Sequence, residues 1–167
     1  MLFMKTKEKI FSAFAISIAM MSTAYADFNF MENLKAPEMY FTPEAVEIYR
    51  AASRGDNDKI KRHIIEGTRI ESKGPQNPGK SLHQITLLSY AVGINNAKAI
   101  ETLITLGANP TYMPTARQDN TFTFAIMRKN VEGLKTIFKH YPAQKLTDKE
   151  KSKHLFASVG YGCYNCI

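Results

Sequence analysis

Residues 86–110 read TLLSYAVGINNAKAIETLITLGANP. Ala91 is a small residue inside an apolar run, and Ile100 and Ile104 follow it by nine and thirteen positions. Two apolar residues four apart lie on one face of a helix. Gly107 stands just past that face, where a left-handed C-cap favours glycine. The stretch therefore predicts two short helices joined by a turn, with the alanine allowing a neighbouring helix to approach closely.

The pattern recurs on either side. Residues 48–67 read IYRAASRGDNDKIKRHIIEG and residues 122–142 read FTFAIMRKNVEGLKTIFKHYP. Ala51, Ala91 and Ala125 are equivalent, at spacings of 40 and 34. Ile60, Ile100 and Leu134 follow them by nine residues, and Ile64, Ile104 and Phe138 by thirteen. A helix–turn–helix of this size cannot bury its apolar face alone, so stacked neighbours must supply the core.

The three stretches resemble the ankyrin repeat. Thr86-Leu87-Leu88-Ser89-Tyr90-Ala91 stands where that family has T-P-L-H-x-A, and Leu106-Gly107-Ala108-Asn109-Pro110 matches its typical ending. Ala51-Ala52-Ser53-Arg54-Gly55 matches the family's A-A-x-x-G turn. Leu87 and Ser89 replace the usual proline and histidine, the third unit has Asn120-Thr121-Phe122-Thr123 there, and Tyr141 stands in place of a glycine. The resemblance covers residues 43–167 and implies an all-α fold, an ankyrin-repeat solenoid of about three repeats plus a truncated fourth. The expected repeats are 43–72, 85–114, 119–146 and an incomplete 147–167.

The fourth unit follows from the register. Thr147-Asp148-Lys149-Glu150 has the S/T-x-x-E form of a capping box and predicts a helix start. With Ser158 at the alanine position, Leu155 matches Leu88 and Phe122, Gly162 matches Gly55, and Ile167 matches Ile60, Ile100 and Leu134. The last residues then read as the beginning of a second helix, expected from an interrupted gene or a fragment, or else from a short end closed by a partner. Cys163 and Cys166, the only cysteines, have CxxC spacing. No strand pattern gives them a thioredoxin-like context, and no second Cys/His pair completes a zinc site. They are expected to be core residues or a disulfide, which an oxidising compartment permits.

The first residues place the chain in such a compartment. Lys5, Lys7 and Lys9 precede an apolar run of 12 residues, Ile10–Met21, and Ala24-Tyr25-Ala26 forms a small-x-small site. That order is a secretory signal peptide over residues 1–26, since a membrane span needs about 20 apolar residues. No cysteine near the site invites a lipid anchor. The expected location is the bacterial periplasm, with secretion as the alternative. Cleavage removes three Lys and one Glu from a chain of net charge +7, leaving 141 residues at +5. The periplasm excludes nucleic acid as partner; headgroups, acidic glycans or an acidic protein remain as counterparts, beside a merely solvated basic surface.

Catalysis is not expected. The four histidines, His63, His83, His140 and His154, are dispersed, and no G-x-S-x-G, H-E-x-x-H or Gly-rich phosphate loop occurs. Asp56 and Asp58 fall at an inter-helix turn and read as turn residues. No cofactor or metal is called for.

Two other segments carry interaction potential. The mature start, residues 27–42, holds Phe28, Phe30, Met31, Leu34, Met39, Tyr40 and Phe41 and is expected to cap the first repeat. Thr42-Pro43-Glu44 then opens a helix. Residues 71–84, ESKGPQNPGKSLHQ, form a polar, Gly/Pro-rich insertion between the first two repeats. In the ankyrin family, partners usually bind the first helices and loops on the concave side. By position this implies Arg54, Ile94, Arg128 and Tyr161 at the helix turns and Tyr112, Met113, Arg117 and Gln118 in the second loop, where large Arg, Tyr and Met side chains suit anchors. The expected function is non-enzymatic binding of another protein, foremost as an immunity or inhibitor protein against an acidic, periplasm-acting toxin. The alternatives are a periplasmic stress or assembly scaffold, similar to exported ankyrin proteins that support catalase, and a secreted effector binding host proteins.

Overall fold

A computed structural model describes residues 36–74, 85–113 and 120–166. The signal peptide, residues 27–35 of the apolar segment, His83, Arg117, Gln118 and Ile167 lie outside the described residues. Those described form seven α-helices: α1 Pro43–Arg54, α2 Asn57–Ile65, α3 Leu87–Gly93, α4 Ala97–Thr105, α5 Thr121–Met127, α6 Val131–His140 and α7 Asp148–Gly160. The class is helical, with one addition to the sequence reading. Strands β1, Lys73–Gly74, and β2, Ile85–Thr86, pair antiparallel, with Lys73 opposite Thr86 and Gly74 opposite Ile85. They form the two stems of the insertion.

Short polar side chains start the helices where the sequence places them. Thr42, Thr86 and Asn120 accept the backbone N–H three residues on, at the N-termini of α1, α3 and α5. Asp56, Asn96 and Asn130 do the same for α2, α4 and α6. Asp58, expected in the turn, lies instead inside the first turn of α2. Thr147 and Glu150 form the full capping box at α7. Each cap satisfies a backbone donor that has no partner within the helix.

The turns between paired helices are built alike. The N–H of Asp56 donates to the carbonyl of Ala51 at 2.9 Å, Asn96 to Ala91 at 2.9 Å, Asn130 to Ala125 at 2.9 Å and Cys163 to Ser158 at 2.8 Å. The residue just before each donor is left-handed: Gly55 (φ 74°), Asn95 (57°), Lys129 (51°) and Gly162 (64°). Gly67 and Gly107, past α2 and α4, are left-handed as expected, with φ of 97° and 102°. At the third such place Tyr141 ends α6 with φ −130°, and Pro142 continues extended.

Helices pack in pairs, α1 on α2, α3 on α4 and α5 on α6. Across pairs, α1 meets α3 and α4, α3 meets α5, α4 meets α6, and α5 meets α7. A 3-10 turn, Tyr164–Cys166, rests on α6 and α7. Ile60, Ile100 and Leu134 are buried in register, beside Ala51, Ala91, Ala125 and Ser158.

Two register matches do not reach the core. Ile104 is buried, but Ile64 is 37% exposed, because α2 rests chiefly on α1 and Ile64 lies a turn beyond Ile60. Leu155 is exposed although Leu88 and Phe122 are buried, since no described element lies over that side of α7. The position beside it, His154, is the one that packs inward, its ring 4.8 Å from Phe122 and its Nε2 3.5 Å from Asn120 Nδ2.

The described end of the capping segment reaches beyond the first helix pair. A 3-10 turn at Pro37–Met39 leads into buried Tyr40 and Phe41. Their rings lie 5.8 and 5.7 Å from that of Tyr90 on α3, which also meets Tyr49 edge-on at 5.0 Å. Aromatic pairs at these distances add to what burial alone contributes. Burial here pushes the Tyr90 phenol up to about 12.

Candidate functional site

Four of the sequence-chosen binding residues occupy one structural position. Arg54, Ile94, Arg128 and Tyr161 each directly precede the left-handed residue of an inter-helix turn. That backbone reversal fixes where each side chain leaves the fold. Arg54 and Ile94 are exposed, whereas Arg128 and Tyr161 are half-buried. Arg128 Nη2 donates to the carbonyl of Gly93 at 3.3 Å, which brings the third turn against the second, beside Ile94. Arg128 thus has a structural role that the sequence reading, which cast it as an anchor alone, did not contain. The aliphatic chain of Lys98 lies over Gly55 in the first turn, and Lys129 of the third turn reaches toward Gly162 in the fourth. The two lysines add positive charge along the turns.

A second feature lies on the loop side. Phe41, Ala45, Arg69, Glu71, Lys73 and Tyr112 line an open cleft of about 270 Å³. The start of α1 and the segment leading into β1 form its walls, and Tyr112 brings the loop after α4 to its rim. Met113, next in sequence, is exposed. Glu71 ties the segment leading into β1 to the loop after α4, its Oε1 accepting the N–H of Asn109 at 2.5 Å. Its other oxygen is buried without a hydrogen-bond partner. Burial raises the Glu71 carboxyl above the usual range, against the opposing pull of the Asn109 N–H and of Arg69. The sequence reading missed Glu71, because nothing local marks a carboxylate that reaches 38 residues along the chain.

The titratable groups elsewhere are explained by structure. Lys59 and Arg50 hold the Glu47 carboxyl below its ordinary value, and Arg50 also pairs with Glu38. His63 Nδ1 lies 3.5 Å from Glu66, and His140 Nε2 lies 3.7 Å from Glu101. Among the described residues no three His, Cys, Asp or Glu side chains stand close enough to share a metal ion. Cys163 and Cys166 are joined in a disulfide, with Cα atoms 5.4 Å apart, and Cys163 takes the place that Asp56, Asn96 and Asn130 hold in the other turns. No described helix is long and apolar enough to cross a membrane.

The arrangement offers a row of turns bearing Arg, Ile and Tyr and a shallow cleft of mixed charge, which can hold the side chains of a macromolecular surface. The chain matches no known family model and no curated protein.

Proposed function

We propose that this chain is an exported, ankyrin-like repeat stack that binds another protein through its inter-helix turns and second loop. The observation that carries the reading is the recurrence of one turn, with the same hydrogen bond and the same left-handed residue, at four positions spaced by 40, 34 and 33 residues. Repetition of one unit generates an extended surface whose turn residues vary while the backbone does not, which suits recognition of a folded partner. The signal-like leader supports a periplasmic partner, and the basic chain favours an acidic one. An immunity or inhibitor protein against a periplasm-acting toxin meets both conditions.

The test is co-purification of the tagged chain from the periplasm of its own host. A single stoichiometric acidic hydrolase or toxin, lost on Arg54→Glu with Ile94→Glu, is the expected result. Recovery of the same partner by the double variant would place the interface elsewhere. The absence of any stoichiometric partner would remove the inhibitor reading.

A further inference from the structure

The four inter-helix turns share one backbone but not one cap. In the first three, the side chain of Asp56, Asn96 or Asn130 accepts the N–H of the residue three positions on, from Lys59 at 3.0 Å, Ala99 at 3.0 Å and Gly133 at 2.7 Å. Cys163 holds the equivalent place in the fourth turn, because its N–H donates to Ser158 as theirs donate to Ala51, Ala91 and Ala125. Three positions on stands Cys166, and the two sulfurs are bonded to each other. The covalent bond therefore spans the same pair of positions as the cap hydrogen bond of the other turns. The N–H of Cys166 donates at 3.0 Å to the Cys163 carbonyl, within the 3-10 turn Tyr164–Cys166 that rests on α6 and α7.

Exchanging one link for the other changes the chemistry of the turn. A carboxylate or carboxamide cap is present under all redox conditions. A disulfide is present only while oxidised, and the thiol left after reduction is a weak acceptor that caps poorly. The bond closes a very short loop, so it gains little from chain entropy. Lys129 of the third turn reaches with its ammonium toward Gly162, the neighbour of Cys163, and positive charge near a cysteine favours its thiolate. Cys163 is buried and Cys166 only half-buried, which leaves Cys166 the sulfur more open to attack.

We propose that the Cys163–Cys166 pair is a reversible redox site that caps the fourth turn, locking it when oxidised and releasing it when reduced. The co-reactant is a dithiol. Its thiolate attacks Cys166 Sγ, the S–S bond breaks, and Cys163 leaves as a thiolate. The second thiol of the reductant then closes that molecule's own disulfide and expels the Cys166 thiolate. Two electrons pass to the protein, and the two protons given up by the reductant are taken up as the cysteines become thiols. The first three turns carry no sulfur at these positions and keep their caps. The proposal does not rest on the binding role assigned to the turns above.

The probe is dithiothreitol, applied to the purified chain without denaturant, with alkylation and mass measurement following the thiols. Residue-resolved amide hydrogen exchange reads the turns. Reduction is expected to speed exchange at Cys163 and Cys166 by roughly tenfold or more. Asp56, Asn96 and Asn130 should not change, and oxidised glutathione should restore slow exchange in the fourth turn. Cys163→Asn with Cys166→Ala rebuilds a hydrogen-bonded cap, and should keep exchange slow at both positions with or without dithiothreitol. Cys163→Ala with Cys166→Ala has neither kind of cap, and should exchange fast under both conditions. Circular dichroism checks that both variants keep their helices. A bond that resists dithiothreitol in the folded chain, exchange unchanged by reduction, or equal exchange in the Asn and Ala variants would overturn the proposal. Faster exchange in all four turns together would overturn it too, by making the bond a brace of the whole fold rather than the cap of one turn.

Discussion

The side-chain amide of Asn96 joins two helix pairs: its Nδ2 donates to Ser53 Oγ at 3.1 Å and to the Tyr49 hydroxyl at 3.3 Å, while its Oδ1 caps α4. One residue thus starts a helix and fastens it to the neighbour. Asn130 repeats the device, capping α6 and donating to the carbonyl of Val92 at 2.8 Å. Asn96→Asp keeps the cap acceptor and removes the donor, whereas Asn96→Ala removes both. Denaturant unfolding should therefore order them wild type, Asp, Ala, with the alanine variant down by about 2 kcal/mol. An Asp variant as stable as wild type would mean that the contact between pairs contributes nothing, and equal losses for the two variants would mean that the cap contributes nothing.

The left-handed residues offer a test with opposite signs. Lys129 holds φ 51° with a full side chain, at a local cost of about 1 kcal/mol, so Lys129→Gly should stabilise the chain by roughly half that. Gly55→Ala should destabilise it by about 1 kcal/mol, mainly through its φ of 74°. The Cβ would meet only the flexible end of Lys98, which can move aside. Thermal melts of the two variants should shift in opposite directions.

Gly74→Ala should be much more damaging. A Cβ there would stand 2.0 Å from the carbonyl oxygen of Tyr40, a backbone atom fixed between a 3-10 turn and α1. Separation of the capping segment from the strand, with a loss of about 3 kcal/mol, is the expected outcome. A melt unchanged from wild type would place the capping segment outside the cooperative unit.

Stability should fall on mild acidification because of His154. Burial against Phe122 and Asn120 lowers its imidazole from 6.5 to about 4, outweighing the nearby Glu150 carboxylate. The unfolded chain therefore takes up a proton near pH 6.5 that the folded chain refuses until about pH 4. Between those values the folded state loses about 1–2 kcal/mol after solvent screening, and above pH 6.5 it loses nothing from this source. The Glu71 carboxyl, raised by burial, acts with the opposite sign. Subtracting the pH dependence of His154→Gln from that of wild type isolates the histidine, and a flat difference would remove the explanation.

The disulfide should contribute modestly, because it closes a very short loop. Replacing both Cys163 and Cys166 by Ser should cost no more than about 2 kcal/mol and leave the seven helices intact by circular dichroism. Loss of most of the helical signal would instead make this turn central to folding.

Features that depend on a few neighbouring residues were legible in the sequence. The Thr147–Glu150 capping box, the Thr42-Pro43 helix start and the left-handed Gly67 and Gly107 are set by local chemistry, and the sequence displays that chemistry directly. Burial was legible only where the neighbour was also implied. Ile60, Ile100 and Leu134 face a partner helix in their own unit, but Leu155 and Ile64 depend on what lies beyond it. The site shows the same division. The spacing picked out the turn positions of Arg54, Ile94, Arg128 and Tyr161, whereas the Arg128 bond to Gly93 and the reach of Glu71 to Asn109 exist only once the units are side by side.

The two-residue ladder between β1 and β2 has a practical consequence. Thr86 both pairs with Lys73 and caps α3, so the return of the chain from the insertion is fixed at the residue where the helix begins. Gly74 and Ile85, opposite each other in the ladder, thus hold the two ends of the intervening segment together at a closed neck. Doubling the length of such a segment adds only about 0.6 kcal/mol of closure entropy. The neck is accordingly a natural graft point, where a tag, a reporter peptide or a foreign epitope can be carried without disturbing the helix pairs on either side.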